Sequence, residues 1–173
     1  SMFALNLSLF VSGTLLRVSL AQTRQYYFVN TTLNWTDAQS LCRRDYADLA
    51  TAESTADVEA VVRSAADYTG EYLTMHTPLR RACLAWIGLY DDLVNSWKWS
   101  LNDSSFYGDG EQTFRNCTSL FRNWAFGQPN HGGEECMATH FNESGKWHDQ
   151  DCSLSYPFIC YKPKIRLLHR EID

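Results

Sequence analysis

Residues 127–136 read Gly-Gln-Pro-Asn-His-Gly-Gly-Glu-Glu-Cys, and residues 146–152 read Lys-Trp-His-Asp-Gln-Asp-Cys. The first stretch sets the side-chain amides of Gln128 and Asn130 on either side of Pro129, then brings Glu134 and Glu135 directly against Cys136. The second repeats the neighbourhood of acid and cysteine, with Asp149 and Asp151 ahead of Cys152. So many side-chain oxygens on short polar segments beside two cysteines mark the stretches as parts of one site.

The rest of the chain bounds what that site can serve. With 173 residues, 45% hydrophobic and 14% aromatic, it has the length of one domain plus ends and the apolar content to fill a core. A formal net charge of -5 and the lack of any basic run argue against a nucleic-acid partner, which such a surface would repel. From Met2 the chain is almost purely apolar or small through Leu16, and Ser19-Leu20-Ala21 has the small residues a signal peptidase accepts. Residues 1–21 are therefore expected to be a signal peptide. A buried N-terminal helix is the alternative, because a basic start is missing and Arg17 interrupts the run. No later stretch approaches the roughly 18 apolar residues of a membrane span, so a soluble, secreted, extracellular chain is expected.

Cysteine usage agrees with export. Cys42, Cys83, Cys117, Cys136, Cys152 and Cys160 form an even set with no Cys-x-x-Cys pair, which favours disulfides over zinc or thiol redox chemistry. Asn30, Asn34, Asn102, Asn116 and Asn142 each begin an Asn-x-Ser/Thr sequon and are candidate glycan acceptors.

Tyr26-Tyr27-Phe28-Val29 is aromatic and β-branched and predicts a strand, after which Asn30, Thr31 and Thr32 offer turn chemistry. Thr36 is the expected cap of a helix through Ala38, Leu41 and Cys42. Ser54 or Thr55 caps a second, with Val58, Val61, Val62, Ala65 and Ala66 as its buried stripe before Tyr68-Thr69-Gly70 ends it. Beyond it come short apolar pieces, residues 85–89, 97–99, 136–138 and 157–161, between polar loops. Helices first and strands afterwards predict an α+β fold.

Cys42 on the first helix, Trp86-Ile87-Gly88-Leu89, Gln128-Pro129-Asn130, Trp147-His148-Asp149, Cys152 and Phe158-Ile159-Cys160 resemble, in order and spacing, the C-type lectin-like domain. The resemblance runs from about Tyr26 to Lys162 and sets the expected domain at 22–163, with 164–173 a short polar tail. It implies two helices, small antiparallel sheets and a long loop region that carries ligand sites. It also implies that Cys42 bonds Cys160 and Cys136 bonds Cys152, a choice the cysteines alone leave open.

Within that resemblance, Gln128, Asn130, Glu134 and Asp149 stand at the family's sugar-binding calcium site. Calcium is a hard ion that takes about six to eight oxygens, and carboxylates, amides, the Asp149 backbone and two sugar hydroxyls would reach that range. The family's peptide bond before Pro129 is cis, an isomer only proline makes inexpensive. Two departures weaken the expected site. Gln128 is the galactose-type residue and Asn130 the mannose-type residue, so two amides replace one amide and one acid, and the sugar is left open. His148 stands where calcium-binding members carry asparagine, and imidazole is a poor ligand for so hard an ion. His131 likewise replaces an acid of an auxiliary calcium site and leaves Glu135 isolated.

The expected function is thus a carbohydrate-binding lectin for glycans or glycoproteins, dependent on Ca2+ at a weakened site, with Gln128, Asn130, Glu134, His148 and Asp149 as sugar contacts. The alternative is a calcium-independent domain of the same fold that binds a protein partner. An enzyme is not expected, since no nucleophile motif accompanies His131, Glu134 and Asp149. Taken alone, residues 128–135 would read as a solvated loop, and Trp86, Trp97, Trp99, Trp124 and Trp147 read as packing aromatics. Residues 71–83 lengthen the connection after the second helix, and Phe-Arg-Asn at 114–116 recurs at 121–123. Each insertion carries one extra cysteine, Cys83 or Cys117, and these two are a candidate third pair.

Overall fold

The computed structural model describes residues 4–11, 14–66, 83–91, 97–101 and 121–172. They belong to two units, residues 1–25 with 162–173, and residues 26–161. In the first, β1 (Ala4–Val11) pairs antiparallel with the start of β2 (Thr14–Leu33), in register from Ala4 opposite Ala21 to Val11 opposite Thr14. Leu5, Leu7 and Leu9 recur at period two and stand opposite Leu20, Val18 and Leu16, the spacing of a strand rather than a helix. The helical alternative for this segment is therefore corrected to a hairpin.

In the second unit β2 continues through Leu33, so the turn expected at residues 30–32 is a strand instead. The sheet in which β2 neighbours the last strand overrides the local turn preference of Asn and Thr. Helix α1 (Trp35–Asp45) is capped by Asn34 rather than Thr36: Asn34 Oδ1 accepts from Asp37 N at 2.9 Å, and its Nδ2 donates to Asp37 Oδ2 at 2.7 Å. Burial decides the register, because Trp35, Ala38 and Cys42 must face the core. A two-residue strand β3 (Asp48–Leu49) leads to α2 (Thr55–Ser64). Ser54 caps α2 by accepting from Asp57 N at 3.1 Å, while Asp57 Oδ2 accepts from Ser54 Oγ at 2.9 Å and from Glu53 N at 3.1 Å. Val58, Val61 and Ala65 are buried, Val62 is half-buried and Ala66 is exposed. Tyr68-Thr69-Gly70, Cys117, the 71–82 insertion and the 114–116 repeat lie outside the described residues.

Strands β4 (Leu84–Asp91), β5 (Trp97–Trp99), β6 (Cys136–His140), β7 (Lys146–Gln150) and the first residues, through Tyr161, of β8 (Tyr156–Ile172) complete the unit. The strand order is β2-β8-β4-β6-β7, with β3 on β8 and β5 on β4. Period-two alternation divides the core. Ile87, Leu89, Met137, Trp147 and Ile159 pack with Val58 and Val61 of α2, whereas Trp86, Ala138, Phe158 and Cys160 pack with Trp35, Ala38 and Cys42 of α1. Gly88 is required at the crossing: a Cβ there would stand 3.0 Å from Ser100 Oγ and 3.1 Å from Leu49 O. Cys42 is bonded to Cys160, which ties α1 to β8, and Cys136 to Cys152, which ties β6 to the segment after β7. Cys83 has no disulfide partner among the described residues. Among those residues no helix is long and apolar enough to cross a membrane.

Candidate functional site

The site begins with the β6–β7 hairpin, whose strands run in register from Cys136 opposite Gln150 to His140 opposite Lys146. Its tip turns through Ser144 and Gly145, both at positive φ, and sits against α2 so closely that a Cβ on Gly145 would fall 2.6 Å from Val58 Cγ1. On β7 the buried positions are Trp147 and Asp149. Trp147 stacks edge-on with Trp99, Trp124 and Phe121, and Trp124 with Trp97. These rings anchor the incoming loop, and the backbone adds to them: Trp147 N donates to Asn123 O at 2.9 Å and Ala125 N to Trp147 O at 3.0 Å.

From this anchor the chain turns at residues 125–128, closed by Gln128 N donating to Ala125 O at 3.1 Å with Gly127 at φ 79°. The Gln128 to Pro129 peptide bond is cis. The next two residues lie over Asp149. Its carboxylate accepts from Asn130 N at 3.0 and 3.2 Å, and from His131 N at 3.0 Å, with His131 held at φ 57°. Asp149 is fully buried, and no cationic side chain pairs with it among the described residues. Two N–H donors on a buried carboxylate offset much of its desolvation, but leave its charge uncompensated.

Gln128 Oε1 is buried and has no hydrogen-bond partner among the described residues. Glu134 is half-buried, and burial first, then the negative charges of Asp149 and Asp151, hold its carboxyl above the usual carboxylate range. Asp151 moves the other way, stabilised as an anion by the Ser153 N–H at 2.8 Å. The structure therefore gathers Gln128, Asn130, Glu134 and Asp149 about one loop. It does not bring His148 to them. His148 follows the opposite face of β7, where its Nε2 lies 3.0 Å from Glu143 Oε2 and its ring stacks 5.4 Å from that of His140. Consecutive residues of a strand point to opposite faces, so His148 and Asp149 leave β7 in different directions.

Three further residues belong to the site's surroundings. Gln150 Nε2 donates to the Asp149 carbonyl at 2.6 Å, and its Oε1 accepts from Tyr156 Oη at 2.9 Å, so one of the two lone pairs of that backbone oxygen is taken. Asp91 Oδ2 lies 4.0 Å from His131 Nδ1. Phe126, in the turn, is fully exposed. Gln150 could be found by its place beside Asp149; Asp91 and Phe126 gave no sequence signal, because neither belongs to either polar stretch.

Calcium asks oxygen donors of this set. Among the described residues, no group of three or more His, Cys, Asp and Glu side chains gathers as a metal cluster. Half of the expected set is amide, Gln128 and Asn130, and the set fits a hard ion: the buried Gln128 Oε1 lacks a partner among the described residues, and Glu134 is crowded by neighbouring anions. No thiolate or imidazole stands among the four that would favour a softer metal.

Comparison with known proteins places this architecture. The Lectin C-type domain family model matches residues 31–162. The chain is 28% identical over 142 residues to human C-type lectin domain family 10 member A, covering 78% of this chain and 35% of that protein. It is 28% identical over 152 residues to ladderlectin of Oncorhynchus mykiss, covering 86% and 67% respectively. It spans about a third of the former relative's length and 7% of that of mouse C-type mannose receptor 2, to which it is 30% identical. Human lithostathine shares the fold with a TM-score of 0.59 at 19% identity, covering 91% of this chain and 97% of that one. The chain belongs to the C-type lectin domain family.

Proposed function

We propose that the chain is a carbohydrate-binding lectin whose site takes Ca2+ through Gln128, Asn130, Glu134 and Asp149. The observation that carries the reading is the buried Asp149 carboxylate, which organises the Asn130 and His131 backbone yet has no cationic partner among the described residues. Calcium, when bound, supplies a hard positive centre at which two neighbouring sugar hydroxyls complete the oxygen shell. The chain's part is to hold those oxygens in place, by the Trp147 anchor beneath and the Cys136 to Cys152 bond at the side. No covalent chemistry is involved, and the partners are glycans or glycoproteins.

Export belongs to the same reading: two disulfides suit an oxidising compartment. Residues 1–21 would be removed as a leader, 22–163 would be the binding domain, and a bond from Cys83 to Cys117 would be the third. N-terminal sequencing of secreted protein tests the first of these.

A second reading is favoured by one feature. Two backbone N–H groups already satisfy Asp149, so the loop can stand without an ion, as a calcium-independent domain for a protein partner requires. A glycan array run with calcium and with chelator separates the two. Signals that vanish with chelator support the lectin. An array blank in both supports the alternative.

A further inference from the structure

Phe126 is the one large apolar side chain that stands exposed among the described residues, with a relative exposure of 107%. A single exposed apolar residue is ordinarily unremarked surface. This one is presented by a built turn. Ala125 is buried and bonded to β7 through Trp147 O, Gln128 N closes the turn on Ala125 O, and Gly127 supplies the positive φ that its third position needs. Both ends of the turn are thus anchored, and Phe126 is held in water two residues before Gln128, in the same turn that begins the proposed sugar site.

We infer that Phe126 is a specificity-determining contact for an apolar group attached to the bound sugar, such as an aromatic or alkyl aglycone or the C–H face of a second ring. The inference rests on the lectin reading. An aromatic ring held exposed loses little side-chain freedom when it stacks, because it has few rotatable bonds, and it removes apolar area on both partners from water. The four oxygen ligands read only hydroxyls, so a contact of this kind adds selectivity without altering calcium binding.

The test compares methyl and phenyl glycosides of mannose and galactose, titrated by calorimetry into wild type, Phe126→Ala and Phe126→Trp with calcium present. Wild type should prefer the phenyl form of whichever sugar binds by about three- to tenfold. Phe126→Ala should bring that ratio to near one while leaving methyl-glycoside and calcium affinities unchanged, and Phe126→Trp should restore it. A phenyl-to-methyl ratio as large in Phe126→Ala as in wild type overturns the inference and leaves the lectin reading standing. No binding of any glycoside by wild type overturns both.

Discussion

Two fully or nearly buried aspartates, Asp48 and Asp149, occupy different regions of the same domain and are treated differently. Asp48 accepts from Arg43 Nε at 3.0 Å, Ser100 Oγ at 2.5 Å and its neighbour Leu49 N at 2.7 Å. Its charge is answered by a guanidinium that also donates to Ser100 O at 2.7 Å. Among the described residues, Asp149 is answered only by backbone N–H groups of the loop above it. Each lies near one disulfide, Cys42 to Cys160 in the frame and Cys136 to Cys152 at the site. The frame is electrostatically closed and the site is left negative, which is the condition for an external cation to bind there.

The difference can be broken from either side. Replacing Cys42 and Cys160 together by serine should cost the most, about 4–5 kcal/mol, because the loop it closes is long. The Cys136 and Cys152 pair closes a separation of 16 residues and should cost about 3 kcal/mol. Denaturant unfolding measures both. Calcium affinity should fall only in the second variant, since only that bond clamps the donor loop.

Next in size is Arg43→Ala, which leaves Asp48 buried without its cation. Full loss of a buried pair costs about 3–5 kcal/mol, but Arg43 is itself 45% exposed, so about 2 kcal/mol is expected. The loss should be the same with and without calcium; a calcium-dependent loss would join the two regions that the comparison separates.

The legible and illegible parts of the chain divide along physical lines. The cap at Ser54 and the apolar stripe of α2 announce themselves, because local hydrogen bonding and one-sided burial act in the same direction. Residues 30–32 do not, since β2 carries through residues whose own preference is for turns. The β7 strand was hidden for a related reason. Its second buried position is filled by Asp149, so the alternation that should reveal a strand reads as polar. The four proposed donors could be named from their family resemblance, whereas the position of His148 depended on strand register, to which the resemblance is blind. The Gln150 bond to the Asp149 carbonyl depends on tertiary placement beside Tyr156, which no local pattern carries.

Asn130→Asp sharpens the site side of the comparison. It adds a negative ligand where Glu134 is already raised by neighbouring anions, so calcium affinity should rise about tenfold and any sugar preference should move toward galactose. Calorimetry reads the first and a glycan array the second. The smallest effect is expected for His148→Asn. With its ring engaged by Glu143 and His140 on the far face of β7, calcium affinity should stay within about twofold, a change near the floor of single-substitution effects at a distance. A tenfold gain would mean that residue 148 reaches the metal.

The most direct measurement is the melting temperature of wild type and Asp149→Asn across a calcium titration. A ligand that binds only the folded state stabilises it by about 2.7 kcal/mol at a hundredfold excess over its dissociation constant. Wild type should therefore melt progressively higher as calcium is added, and Asp149→Asn, which keeps an acceptor oxygen but loses the charge, should not respond. A wild-type melting temperature that calcium leaves unchanged would contradict the assignment of Asp149 as the open half of the comparison.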